Sequence, residues 1–511
     1  MKKIFWVIIL HLSFIPFPGC FREYKQPAGN GIVVGLEGNP TSLDPRFATG
    51  AHSERILPLL FNGLIRLDEG QAFVGDLAAS WQSLDERTYI FQLRRGVTFH
   101  DGRELTALDV KYTFDYIREP KNLSPCYSAY SPIASIDCLG RYGIRFRLKI
   151  PYVSFLYQMN RGIVPAHLGD RRDFQDNPVG SGPFRFIRWE KGVRILLHSN
   201  GDYFEGTPRL QWIHFSIIPH TTTRLLEMKR GRIDLLQNAI PPYAVRFFKK
   251  MEGTRVITEP GINYKYIGYN LRDPILRHSD VRRAISHAID RDRIIRYNLK
   301  GLAQKATGLL APSNPVYEGD VMRYEYDPQR AKALLNAAGF PDPDDEGPLP
   351  RFKLSLKTST DRESNEIAQV IVSQLAQVGI AVEKRGYEWG TFYGDIKKGN
   401  FQMYSLTWVG IVDPDAFHYV FHSEMIPPKG ANRGFYRNPK LDTLIDQSRE
   451  TQDPSILKGL YSRIQKILAE EAVYTSLWHP HNVLAVRDRF QGFRVYPGGQ
   501  YTSLKDVCIV E

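Results

Sequence analysis

The chain has 511 residues, 42% of them hydrophobic and 24% charged, a length that calls for two or three cores and a balance close to that of soluble globular proteins. Its net charge of +12 is dispersed, with basic runs no longer than pairs such as Arg94-Arg95, Arg171-Arg172, Lys249-Lys250 and Arg282-Arg283; that pattern is a solvated face rather than a phosphate track, so nucleic acid is excluded as a partner. Four cysteines without C-x-x-C spacing give no zinc or dithiol redox motif.

In chain order, Met1-Lys2-Lys3 opens with positive charge, Ile4 to Pro18 is mostly apolar, and Gly19-Cys20 follows. This is the layout of a secretion signal over residues 1–20, too short and proline-rich at its end for a spanning helix. A small residue directly before a cysteine at this place resembles a bacterial lipoprotein cleavage site, which makes Cys20 the expected lipidated residue. No other apolar run approaches the length of a membrane span. Cys126 and Cys138 are close enough in sequence to pair in an oxidising compartment, leaving Cys508 over.

After a linker over 21–31, a strand opens at Gly31, and the turn-rich Asn39-Pro-Thr-Ser-Leu-Asp-Pro45 follows. Ile56 to Leu64 reads as helical, Thr88 to Leu93 as a strand, and Val97 to Gly102 as a strand entering an Asp-Gly turn. Thr106 starts a helix with Val110, Phe114 and Ile117 on one face. Ile144, Phe146, Leu148 and Ile150 alternate with basic residues as a half-exposed strand. Val179-Gly-Ser-Gly-Pro-Phe184 is a sharp crossing between domains. Further on, Trp212–Ile218, Ile233–Leu236, Tyr264–Asn270, Phe352–Lys357 and Ile380–Arg385 read as strands. Helices are expected over 221–230, from an Asp280 cap through Arg296, from Asp327-Pro328 to Ala338, over 363–378, and from Asp453-Pro454. Strands alternating with helices make the class α/β with mixed sheets.

The stretch from Tyr404 to Phe417 places Leu406 and Trp408 on one face of a strand, lets the chain bend at Gly410, and reads Asp413-Pro414 as a helix cap. A large aromatic at the end of a strand, one loop before a helix, is a usual lining for a ligand site. Catalytic signatures are absent: there is no H-E-x-x-H, P-loop or strand-linked G-x-G-x-x-G, and Gly180-Ser-Gly-Pro183 lacks hydrolase-elbow spacing. His418 and His422, with Asp413 or Asp415, and His479-Pro-His481 read as surface or packing residues. No enzyme activity, cofactor or metal is expected.

Several motifs together resemble the family 5 extracellular solute-binding proteins, the peptide-binding lipoproteins of bacterial ABC importers. They are Pro40-Thr-Ser-Leu-Asp-Pro45, Leu60-Phe-Asn-Gly-Leu64, Asp76-Leu-Ala-Ala-Ser-Trp81, Tyr89-x-Phe-x-Leu-Arg94, Gly96-Val-x-Phe-His-Asp-Gly102 and Thr106-Ala-x-Asp-Val110. Gly180-Ser-Gly-Pro-Phe184, Gly231-x-Ile-Asp234, Val281-Arg-Arg-Ala-Ile285, Ala288-Ile-Asp-Arg291, and Trp408 with Asp413-Pro-Asp415 continue the order to about residue 420.

The resemblance implies a periplasmic binding protein fold of class II type, three-lobed, with a ligand cleft at the hinge. Domain I would take 21–50, 175–262 and 485–511, domain II 51–174, and domain III 263–484. Thr41, Ser42 and Leu43 would face Thr407, Trp408, Val409 and Gly410 across the ligand, with Trp389, Asp413 and Asp415 also at the site. Peptide binders in the family carry an Asp three residues after the Trp; here that place is Ile411, so Asp413 or Asp415 takes the role or the ligand is not a free-amino peptide. The implied partners are a peptide, or else an oligosaccharide, opine or metal chelate, together with permease and ATPase subunits. A sensor lipoprotein is the other role this fold would serve. The implied setting is a monomer in the periplasm, anchored through Cys20, or at the cell surface where the host has no outer membrane.

Overall fold

The computed structural model describes residues 30–510 except 346; the signal and Cys20 lie outside the described residues. Three large sheets organise them. In the first, seven strands run in the order Thr254–Glu259, Asn482–Arg487, Leu235–Gln237, Gly31–Leu36, Trp212–Ile217, Arg194–Ser199, Phe184–Glu190. Gly31–Leu36 pairs in parallel on both sides. Its Ile32, Val34 and Leu36 are buried together with Ile56, Leu59, Leu60 and Phe215, as an apolar run in a covered strand should be.

The second sheet is antiparallel, Ala78–Asp85, Thr88–Leu93, Gly143–Leu148, Ile133–Leu139. The alternation expected at 143–150 holds to Leu148: Ile144, Phe146 and Leu148 are buried, whereas Ile150 is exposed. Arg145 and Arg147 on the other face share Asp137, at 3.0 and 3.1 Å. The apolar face meets the helix Ala107–Arg118, whose Val110, Phe114 and Ile117 are fully buried. Thr106 caps this helix in a reciprocal box with Asp109.

The third sheet has the order Ala303–Lys305, Tyr474–Pro480, Tyr264–Tyr269, Met403–Trp408, Phe352–Ser359, Ile380–Tyr387. Its two faces carry separate cores, one with Ile285, Ile371 and Met403, the other with Tyr266, Tyr404 and Phe417.

Four local expectations away from the 404–417 stretch differ from the structure. The helix from Asp280 is two helices, Ser279–Ala288 and Arg291–Tyr297. Asp290 breaks it by taking the Arg293 N–H at 2.8 Å as the cap of the second, so the apolar stripe outran a competing side-chain acceptor. Residues 97–102 form no strand beyond a single bridge between Thr98 and Glu104. The apolar segment at 56–64 belongs to a helix that starts earlier, Ala51–Leu60. Cys126 and Cys138 are unpaired: Cys126 is buried beside the Ala48 carbonyl, and Cys138 and Cys508 are also free thiols.

Helix Ala51–Leu60, Val164 and Phe174 all pack in the core of the seven-stranded sheet. That core therefore takes residues on both sides of the 50/51 and 174/175 divisions drawn from sequence. The chain passes from the first sheet to the third at 260–263, and returns between Pro480 and Asn482 with only His481 between. These two crossings touch: a Cβ on Gly261 would stand 2.4 Å from the Pro480 carbonyl oxygen, and His479 Nδ1 donates to the Asn263 carbonyl at 2.9 Å.

The Gly180-Ser-Gly182 segment closes the end of helix Ala51–Leu60. The Gly182 N–H donates to the Leu60 carbonyl at 2.9 Å, and Ser181 Oγ donates to Asn62 Oδ1 at 3.1 Å. A Cβ on Gly180 would lie 1.9 Å from the Leu60 oxygen. Backbone cannot yield as a side-chain tip does, so Gly180→Ala should cost about 1–3 kcal/mol or more. The check is a lowered urea midpoint, with Gly201→Ala, which meets open space, shifting by less than about 0.5 kcal/mol.

Candidate ligand cleft

The strand Met403–Trp408 pairs with Tyr264–Tyr269 along its whole length. On its other side it pairs with Phe352–Ser359 only at Met403 and Tyr404. From Ser405 to Trp408 that edge has no strand partner among the described residues. Gly410 then takes a left-handed φ of 68°, which favours glycine, and its N–H donates to Asn263 Oδ1 at 2.9 Å.

This bend delivers Val409, Gly410 and Val412 into a cavity of about 410 Å³. The opposite walls come from Glu54, Arg55, Arg66 and Asp68, from Asn160 to Gly162, and from Tyr496 to Lys505. Segments attached to all three sheets thus meet at one space. A smaller cavity of about 220 Å³, walled by Tyr264, Arg291, Tyr324 and Phe417, lies within the third lobe alone.

Most charges at the larger cavity are paired. Glu54 meets Arg161 at 3.0 Å, Arg66 meets Asp76 at 3.1 Å, Arg55 meets Glu37 at 3.4 Å, and Lys505 meets Glu205 at 2.9 Å. Burial pushes the Asp76 carboxyl up to about 6, against the pull of Arg66 and the Asn62 and Gly63 donors. Asp68 differs: its Oδ1 accepts the Ala72 N–H at 2.9 Å, and among the described residues it pairs with no cation.

The residues singled out from sequence fall in several places. Thr41 is exposed, with its N–H and Oγ1 on Ser53 Oγ at 3.1 and 3.3 Å. Ser42 is buried, its Oγ accepting from the Asp44 N–H at 3.0 Å, and Leu43 is in the first core. Their neighbours Pro45 and Thr49 line the cavity. Thr407 pairs with Lys265. Trp408 is half-buried and stacks on Tyr266 at 6.5 Å and 10°. The buried Arg433 guanidinium lies 4.6 Å from its ring and 5.4 Å from that of Tyr393, and Trp389, exposed, stacks on Tyr393 at 5.6 Å and 5°. One row of rings with a cation inside it therefore joins Trp389 to Trp408. Arg433 and Tyr393 carry no sequence signal for this; their meeting is tertiary.

Asp413 and Asp415 turn to the lobe boundary. Asp413 accepts from Ser154 Oγ at 2.6 Å, from Gln158 Nε2 at 3.4 Å and from the Asp415 N–H at 2.9 Å. That last bond closes a turn of its own, so the helix starts at Ala416 rather than at Pro414. Asp415 pairs with Arg449 at 2.8 Å. Burial pushes both carboxyls well above the aspartate range, against the pull of Ser154 on one and of Arg449 on the other.

Residues 72–425 match the family described as bacterial extracellular solute-binding proteins, family 5 middle. The chain belongs to this family. The oligopeptide-binding protein AppA of Bacillus subtilis (strain 168) is 30% identical over 494 residues, covering 93% of this chain and 90% of the relative. The solved structure of AppA with a nonapeptide superposes with a TM-score of 0.81 at 29% identity, over 94% of this chain and 99% of that one. DppA from Helicobacter pylori, in complex with the peptide STSA, gives 0.80 at 28% over 94% and 98%. NikZ from Campylobacter jejuni, in complex with Ni(L-His), gives 0.81 at 25% over 94% and 99%. A family 5 solute-binding protein with mixed α/β sheets is what the ordered motifs implied. Among the described residues no helix is long and apolar enough to cross a membrane.

A carboxyl whose folded value is raised binds its proton more readily folded than unfolded, so it adds stability as pH falls through that value. For Asp413 the window lies between about 6 and the ordinary range near 4. Asp413→Asn should keep the Ser154 contact, equal or exceed the wild-type melting temperature at pH 7.5, and lose that advantage as pH falls to 5. Melts across this range check it; an advantage that grows on acidification contradicts the assignment.

Proposed function

We propose that this protein captures a peptide in the 410 Å³ cavity and delivers it to the permease and ATPase subunits of an ABC importer. The observation that carries this reading is the strand edge at Ser405–Trp408, without a strand partner among the described residues and half-buried at its Thr407–Trp408 end, which leads through Gly410 into the cavity. An unpaired edge offers backbone N–H and C=O groups to an extended peptide and pairs with it regardless of side chain. The volume is of the order of small-ligand sites, about 300–1,000 Å³. The peptide-bound relatives support the same ligand class. On this reading the three sheets are the cores of domains I, II and III, which close over the ligand. Val409 and Gly410 line it, Thr41 to Leu43 hold the facing loop, and Trp389 and Trp408 brace the strand end. Catalysis has no part in this role. The mature chain is a monomer held at the membrane through lipidated Cys20.

The ligand's ammonium needs an acid, and Ile411 supplies none. Asp413 and Asp415 are engaged by Ser154 and Arg449, so we assign the ammonium to Asp68. A hydrogen bond to a charged group is worth about 1.5–3 kcal/mol, so Asp68→Asn should weaken free-amino peptides at least about tenfold and leave N-acetylated ones unchanged. Calorimetry with matched pairs tests this; an equal loss for both removes Asp68 from the role. Native mass spectrometry of protein from its own host should release short peptides. Release of a metal chelate, as the NikZ likeness allows, would overturn the ligand class.

A further inference from the structure

A separate cluster lies where the helix Ala416–Phe421 meets the helix Pro439–Glu450. One ligand atom from each of His418, His422 and Asp446 falls within 4.8 Å of the others. The histidines stand four residues apart, with ring centroids 4.9 Å apart. His422 is 7% exposed. Its Nε2 is enclosed and makes no hydrogen bond, yet it faces Asp446 Oδ1 at 3.5 Å and Asp442 Oδ1 at 3.9 Å.

The charges around this nitrogen are uneven. Asp415 is matched by Arg449 at 2.8 Å. Asp442 and Asp446 have no lysine or arginine partner among the described residues; Asp442 accepts only the Ser423 N–H, at 2.9 Å. Two unmatched carboxylates beside two imidazoles supply a charge of −2 and a mixed nitrogen–oxygen donor set.

We propose that His418, His422 and Asp446 bind a divalent transition-metal ion of the zinc type, with Asp442 beside them. Two imidazoles and a carboxylate with one open position is a common zinc donor set. Binding through His422 Nε2 moves the ring proton to Nδ1, so the 3.2 Å contact from the Glu424 N–H opens. At His418 the ion replaces the 3.2 Å donation from Arg449 Nη1, and Arg449 stays on Asp415. The ion then clasps the helix that follows the cleft loop to the helix beside it. This site is independent of the ligand reading.

The test is zinc chloride titrated at pH 7.5 into the untagged, chelator-stripped mature chain, followed by calorimetry and by melting temperature. One equivalent should bind, and the melt should rise with zinc. Even second-shell losses cost about 10–100-fold in metal affinity, so His422→Gln and Asp446→Asn should each lose at least about tenfold, with His481→Gln unchanged. Should buried His422→Gln fail to fold, Asp446→Asn, whose side chain is 55% exposed, decides the matter. Absence of saturable binding, or wild-type affinity in Asp446→Asn, overturns the site.

Discussion

The contact on which the rest of the molecule depends is the backbone approach between its two crossings. At Gly261 the chain passes so close to the Pro480 carbonyl that no side chain fits. The strands on either side are locked in ladders, Thr254–Glu259 and Asn482–Arg487 in one sheet, Tyr264–Tyr269 and Tyr474–Pro480 in another. Only residues 260–263 and 481 lie between ladders, so a change in the angle between sheets is absorbed there and not within a lobe. The same crossing sets the cleft. Asn263 receives the His479 ring through its carbonyl and the Gly410 N–H through its side chain, and Ile262 lines the cavity. The crossing and the loop that enters the cavity are therefore one hydrogen-bonded unit.

Electrostatics follows from where these lobes meet. Asp413 carries the third sheet's loop onto Ser154 and Gln158 beside the second sheet, and its burial raises the cost of its charge. A second bridge joins Gln452 to the Glu86 carbonyl and the Tyr89 hydroxyl, at 2.9 and 2.7 Å. Arg433 answers the same cost differently. With phenol oxygens of Tyr266 and Tyr393 at 3.4 and 3.1 Å and rings on both sides, it is stabilised by aromatic faces rather than by a carboxylate.

What could be read in the sequence was what the chain decides locally. Thr88–Leu93 and the helices capped at Thr106, Asp327 and Asp453 follow from alternation and from a side-chain oxygen within reach of the next backbone donors. At Asp290 a cap and an apolar stripe overlap, and the carboxylate on the Arg293 N–H decides the break that periodicity alone does not reveal. Order along the chain made the family legible, since each motif sits where the fold needs it. The cavity was not legible. Its walls come from loops far apart in sequence, and neither the Glu54–Arg161 pair nor the solitary Asp68 has periodicity to announce it.

Ile411 shows how one position reshapes the rest of the site. Its side chain packs against the third lobe's aromatic core, so an acid there would lie against apolar surface and pay for desolvation before meeting any ligand. With Asp68 in the ammonium role, the partner sits on the opposite wall, just after the short strand Ile65–Leu67. A peptide pairing with the edge at Ser405–Trp408 and reaching Asp68 spans two lobes at once. Neither lobe alone then satisfies the ligand, so its binding energy goes into bringing them together, and closure becomes a condition of recognition.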